Sequence, residues 1–264
     1  MRKLSLFWLA ITLMACTTVQ PTSKLATPPV ENGVRNVQTA LKSSVSLWGE
    51  VKSEDGKMRG YMAGSGVVVA TGSKGTVVLT AGHCYVPNTT YEVENSYGKK
   101  FRATFFHVSS VEDLGLLWVK EIVGAPAILA EVMPPWGTSV YAIGNKLGGG
   151  LFPTEGIYGG QVSGKFARCS APTHPGNSGG GIWANEMLLG IVSRIPAALH
   201  QTTDPKIKSK QLYPSVCMFV PITNVRSYLL RSGAMMQVSH PKALKGIRKI
   251  ILPPSPKDWK TEIS

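Results

Sequence analysis

From Val37 onward the chain is written in short runs of β-forming residues, each closed by a turn signal. That punctuation restricts it to an all-β body. "SVSLWGEV" stops at "SEDGK", where Asp55-Gly56 marks a turn. "SGVVVA" and "TVVLTAGHC" flank "TGSKG", and "TYEVEN" and "KFRATFFHV" flank "SYGKK"; both pairs read as hairpins. "LGLLWVKEI" and "TSVYAIGN" read as buried strands, and "EGIYGGQVSGKF", "GGGIWAN", "LLGIVSRI" and "VCMFVPI" complete the series. The 28 Gly and 18 Pro residues suit many tight turns, and 264 residues at 43% hydrophobic can fill the core of one all-β domain. No long helical period is expected before "ITNVRSYLLRSG", where Thr223 should cap a helix and Gly233 should stop it. Short strands at regular spacing predict a barrel or a sandwich, and periodicity does not choose between them.

The N-terminus reads as an address. "MRKLSLFWLAITLMAC" opens on Arg2 and Lys3 and continues as an apolar run too short for a comfortable membrane span, as in a secretory signal. Its end, "LMAC", resembles the processing box of bacterial lipoproteins. That resemblance implies cleavage before Cys16 and a lipid on its sulfur; a simple signal peptide and an uncleaved anchor are the alternatives. Several acyl chains give stable anchoring where one is marginal. Thr17, not Asp, follows the cysteine, which favours the outer membrane if the host is Gram-negative. The domain plan is a signal peptide over 1–15, a Thr- and Pro-rich tether over 16–34, a globular β body over 35–232 and a basic tail over 233–264.

The formal net charge is +13. No zinc spacing, RNA-recognition motif or basic recognition helix accompanies it, so nucleic acid is not expected as the partner. A surface facing anionic lipid accounts for the charge equally well. The four cysteines contain no C-x-x-C pair, and neither a metal nor a cofactor is expected.

Three polar residues stand at turns beside apolar strands. His83 follows "VVLTAG", Asp113 precedes "LGLLWV" and Ser178 lies in "PGNSGG". A lone His, Asp or Ser at such a turn is usually structural. In the order His, Asp, Ser they match one of the known arrangements of a nucleophile, its general base and an orienting carboxylate. Glu112, His107 and His174 are rivals. Glu112 is displaced by one residue from the strand, and His107 lies in an alternating strand. His174 lies four residues before Ser178.

"TAGHC", "DLGLLWV" and "GNSGG" resemble the three catalytic segments of trypsin-like (chymotrypsin-fold) serine peptidases, in flavour closest to the HtrA/Deg branch. "WGTSVYAIGNKLGGG", "LLGIVSRI" and "MFVPITNV" extend the similarity over about residues 45–230. The resemblance implies an all-β double six-stranded barrel with a C-terminal helix. His83 and Asp113 would come from the first barrel and Ser178 from the second. It also implies an oxyanion hole from the backbone N–H groups of Gly176 and Ser178, a substrate pocket near Pro172, and an edge strand, Ser193-Arg194-Ile195, that pairs with the substrate backbone. Pro172 stands where a trypsin-like enzyme would carry Asp, so cleavage after Lys or Arg is not expected; the bulk of Ile195 suggests a small or medium aliphatic residue instead.

Cys84 lacks a partner near 63–66 and is expected as a buried free thiol, while Cys169 and Cys217 are either a disulfide or two buried thiols. Two features depart from the HtrA pattern. About thirty residues follow the terminal helix, too few for a PDZ domain. "PAALHQTTDPKIKSKQLYP" inserts a basic stretch read as a solvated loop. The expected function is a lipid-anchored extracytoplasmic serine endopeptidase acting on protein or peptide, attached to a membrane through Cys16 and possibly helped by the basic tail. A non-catalytic or latent binding module, or a protease for itself or a single partner, are the competing readings.

Overall fold

The computed structural model describes residues 30–195, 197–201, 208–212 and 215–232. Cys16, the signal-like run, most of the tether, Gly233 and the basic tail lie outside the described residues.

The described chain begins with a helix, α1 (Val30–Lys42), which the sequence reading did not anticipate: it took 16–34 as tether and began the β runs at Val37. It starts within the segment read as tether. Tertiary contact decides the matter. Ala40 is fully buried, and Thr39 reaches Glu186 of the second barrel at 3.4 Å. The Ser44 hydroxyl donates back to the Ala40 carbonyl at 2.9 Å, tying the helix end to the first strand.

Six strands then close the first barrel: β1 (Ser44–Lys52), β2 (Met58–Gly72), β3 (Gly75–Ala81), β4 (Thr89–Asn95), β5 (Lys100–Ser109) and β6 (Leu114–Val119), in the order β1-β2-β3-β6-β5-β4. The hairpins read from "TGSKG" and "SYGKK" are β2–β3 and β4–β5, and the turn read at "SEDGK" joins β1 to β2. The second barrel uses β7 (Ile128–Leu129), β8 (Ser139–Asn145), β9 (Leu151–Gln161), β10 (Ala167–Cys169), β11 (Gly181–Ala184) and β12 (Met187–Arg194). Next come β13 (Ala197–Gln201) and β14 (Lys208–Leu212), a separate antiparallel pair. This corrects the reading of that insertion as a loop. β15 (Cys217–Pro221) completes the ring β11-β8-β9-β10-β15-β12, closed by β11–β12, and β7 adds in parallel at the start of β12.

The continuous apolar runs of β2, β3 and β6 follow from burial of both faces. Val68, Val78 and Leu117 point into the first barrel's core. Their neighbours Val67, Leu79 and Leu116 point outward into a cluster shared with Ile143, Ile182 and Ile191 of the second barrel. The two barrels are therefore docked through a dry seam.

The last helix, α2 (Ile222–Arg231), leaves β15 without a loop. Pro221 occupies its N-cap position and supplies no side-chain bond, so Thr223 is not the cap expected from sequence; its hydroxyl lies 3.2 Å from Asn224 Oδ1. Tyr228 carries α2 back to the first barrel, where its hydroxyl meets His107 Nδ1 at 2.8 Å. His107 thus has the structural place expected of it.

Candidate active site

His83 occupies a single 3₁₀ turn, Gly82–Cys84, directly after β3. The turn can pass so close to the loop before β6 because Gly82 has no side chain: a Cβ there would stand 2.8 Å from the Ser109 carbonyl. The close passage puts His83 against Asp113. The His83 ring Nδ1 lies 2.9 Å from Asp113 Oδ1 and 3.1 Å from Oδ2, and the His83 backbone N–H donates to Oδ1 at 3.0 Å. Asp113 adopts φ +53, a left-handed conformation that Asp tolerates better than most residues. Its side chain is only 13% exposed, whereas that of His83 is 48% exposed, so the imidazole faces the open side and the carboxylate stands behind it.

A second donor to Asp113 was not foreseen. The Ser193 hydroxyl on β12 donates to Asp113 Oδ2, across the seam between barrels. The sequence reading gave Ser193 only a backbone role. Its signal was available: a polar residue inside the apolar run "LLGIVSRI", buried to 2%, must find a partner. A β-bulge at Ser193 shifts the register of β12 on β15 between Val192 and Arg194 and aims the hydroxyl at Asp113. Burial alone would raise the Asp113 carboxyl. The bonds from the His83 ring and Ser193, with the charge and backbone N–H of His83, outweigh burial and hold it below the usual carboxylate range.

Ser178 stands in the loop between β10 and β11. Its carbonyl accepts the Ser65 N–H at 2.8 Å, and Cys84 Sγ, one residue beyond His83, approaches the same oxygen at 3.8 Å. β2 and the His83 turn therefore hold the Ser178 segment from the opposite barrel. Gly176 has φ +94, and a Cβ on it would lie 2.1 Å from the Asn145 carbonyl, so only glycine fits. The loop is braced by Asn177 N–H to His174 carbonyl at 3.0 Å, Leu147 N–H to Pro175 carbonyl at 2.8 Å and Gly179 N–H to Val192 carbonyl at 2.8 Å. The Ser65 hydroxyl, fully buried, donates to the Gly176 carbonyl at 2.6 Å and accepts the Asn145 N–H at 2.7 Å. Within this tightly bonded loop the N–H groups of Gly176 and Ser178 have no acceptor among the described residues. Two free amides on a braced loop can bind an oxyanion.

The remaining candidates fall as follows. Pro172 is exposed, and its carbonyl accepts the Thr154 hydroxyl at 2.8 Å. Arg194 is exposed and Ile195 half-buried, both just past the β12 bulge. Glu112 is taken up by Ser109 and Arg231. His174 donates its backbone N–H to Asn177 Oδ1 at 3.2 Å. Cys84 is a buried free thiol, pushed up to about 12 by burial. Cys169 and Cys217 face each other across β10 and β15 as two buried free thiols; the bond to Cys169 and burial hold Cys217 well above the usual thiol range. Among the described residues, no three His, Cys, Asp or Glu side chains converge on a metal-sized site, and no helix is long and apolar enough to cross a membrane.

Two six-stranded antiparallel barrels, with a His–Asp pair on one and a Gly-x-Ser loop on the other, define the chymotrypsin fold of serine peptidases. The chain is similar to the trypsin-like peptidase domain, whose family model matches residues 64–191. The crystal structure of the serine endoprotease from Yersinia pestis superposes with a TM-score of 0.59 at 22% identity, covering 75% of this chain and 65% of that one. The chain thus spans about two thirds of the length of that endoprotease. No curated protein matches it.

Proposed function

We propose that the chain is a serine endopeptidase that cleaves peptide bonds through Ser178, His83 and Asp113. The observation that carries this reading is the pairing of His83 with a carboxylate held low by three donors, beside a loop that presents two unbonded amides. His83 Nε2 would take the proton of Ser178 Oγ as Oγ attacks the scissile carbonyl carbon. The resulting oxyanion would accept hydrogen bonds from Gly176 N–H and Ser178 N–H; losing one such donor costs about 3–4 kcal/mol of transition-state stabilisation. His83 would then protonate the leaving amine, giving an acyl-enzyme that water hydrolyses by the reverse proton path. Asp113 fixes the His83 tautomer through Nδ1 and stabilises the imidazolium, and Ser193 keeps Asp113 in place.

The test is labelling of the full chain, purified in mild detergent, with a fluorophosphonate probe. Labelling of wild type that Ser178→Ala and His83→Ala both abolish is the expected result. A folded wild type that does not label would point instead to a latent enzyme or a binding module on this fold.

The anchoring half of the proposal rests on "LMAC". A lipid on Cys16 would hold the body on the extracytoplasmic face of a bacterial membrane. Cys16→Ser is expected to release the chain from the membrane fraction; retention there would argue for a different attachment.

A further inference from the structure

Among the described residues, the edge of β12 makes no hydrogen bond past Val192, whose carbonyl and N–H are taken by Gly179 and Gly180. An extended peptide entering the Ser178 site can add along that open edge. The side chains that such a peptide meets are set by the bulge at Ser193. Val192 and Ser193 are both buried, and Arg194 emerges on the outer face of the sheet. There it joins a row: Met218 of β15 pairs with Arg194 on one side and with Arg168 of β10 on the other. Residues paired across strands share a face, and two strand spacings put the two arginine backbones about 10 Å apart.

Both guanidinium groups are pre-positioned. Arg194 lies over the Phe166 ring at 4.3 Å, a stacking contact that fixes the plane of the fork while leaving its N–H edge free. Arg168 spends only its Nε, on the Gly159 carbonyl at 3.0 Å. Neither arginine has an ion pair among the described residues. No Asp or Glu occurs in 157–169, 190–195 or 217–221; Glu155, four residues before Gly159 on β9, accepts the Ser139 hydroxyl at 2.9 Å, and Lys165 adds a third cation at the β9–β10 turn. Two held arginines without an ion pair among the described residues, beside an open strand edge leading to Ser178, are a carboxylate-binding arrangement.

We infer that Arg194, backed by Arg168, forms a subsite that selects an acidic side chain on the substrate segment added to β12. The inference rests on the proposed use of that edge by substrate, and it names the substrate class: peptides with Asp or Glu close to the cleaved bond.

The test reads binding, not turnover. Fluorescent hexapeptides carrying a single Glu, moved through each position, and their Gln counterparts are titrated by anisotropy against the full chain bearing Ser178→Ala in mild detergent. One Glu position is expected to bind about tenfold tighter than its Gln counterpart, the gain of a charge-assisted bidentate bond. Arg194→Gln should erase that preference, and Arg194→Glu should transfer it to a hexapeptide carrying Lys at that position. Lys99→Gln, which removes a cation from the β4–β5 turn of the first barrel, should leave it intact. Equal binding of Glu and Gln peptides at every position overturns the inference. So does absence of binding, or a preference that survives Arg194→Gln with Arg168→Gln. Because Ser178→Ala cannot turn over, the catalytic reading stands or falls separately, on fluorophosphonate labelling of the wild type.

Discussion

Ser65→Ala is the change that should most directly separate the fold from the chemistry. The Ser65 hydroxyl belongs to the first barrel but bonds only to the second, accepting the Asn145 N–H at 2.7 Å and donating to the Gly176 carbonyl at 2.6 Å. Alanine fits the space and leaves the buried Asn145 N–H and the part-buried Gly176 carbonyl unpaired. Each buried polar group left without its partner costs about 1–3 kcal/mol, so a stability loss of roughly 2–4 kcal/mol is expected. The Gly176 carbonyl and the Gly176 N–H flank one backbone unit at φ +94, so slack at the first displaces the second. Misaligning one oxyanion donor costs up to about 3–4 kcal/mol at the transition state, and a partial shift should slow fluorophosphonate labelling by roughly ten- to a hundredfold.

Thr80→Val is the control. Its hydroxyl donates at 2.6 Å to the carbonyl of the same Ser65, so its loss should also destabilise the fold while leaving the Gly176 brace intact. Denaturant unfolding and labelling rates on the full chain provide both readouts. If Ser65→Ala unfolds within 0.5 kcal/mol of wild type, or if Thr80→Val slows labelling as much as Ser65→Ala does, the brace does not work as argued.

Gly176→Ala should cost more than Ser65→Ala in both readouts, because its Cβ would lie 2.1 Å from the Asn145 carbonyl in a left-handed backbone; wild-type labelling would refute this. Asp113→Asn should lower the labelling rate by about 10⁴, the size of the tautomer effect in such triads. Because the folded Asp113 carboxyl lies below its ordinary 3.8, its contribution to stability is present above that value and lost as pH falls through the lower folded one. Urea unfolding between pH 2 and 6 should show that acid loss in wild type, absent in Asp113→Asn and both smaller and complete at higher pH in Ser193→Ala, which removes one of the bonds that hold the carboxyl low. The Cys84 thiol, pushed up to about 12, should resist iodoacetamide at pH 8 in the folded chain and react after denaturation, as read by intact mass.

The strands and the three site segments were legible because their signals are local. Period-two apolar runs, Asp55-Gly56 and the glycines around Ser178 each state their own conformation within a few residues. α1 was not legible because Asn32-Gly33 speaks for a turn and the contacts that override it, such as Thr39 to Glu186, lie far along the chain. β10 is three residues long and carries no pattern of its own; its pairing with β15 defines it.

The residues that brace the site share one property that sequence does show. Ser65, Thr80 and Ser193 each interrupt an apolar strand that the barrel seam buries on both faces. A hydroxyl in such a strand cannot reach water, so it must bond across the chain, and all three bond toward the site: Ser65 to Gly176, Thr80 to Ser65 and Ser193 to Asp113. Their presence was readable in "SGVVVA", "TVVLTA" and "LLGIVSRI". Their partners were not, because Ser65 and Gly176 are 111 residues apart and meet only when two closed barrels dock. Where such a residue bonds to the opposite barrel, as Ser65 and Ser193 do, it marks a point at which the two barrels are fastened to each other, and in this chain those points lie beside His83, Asp113 and Ser178.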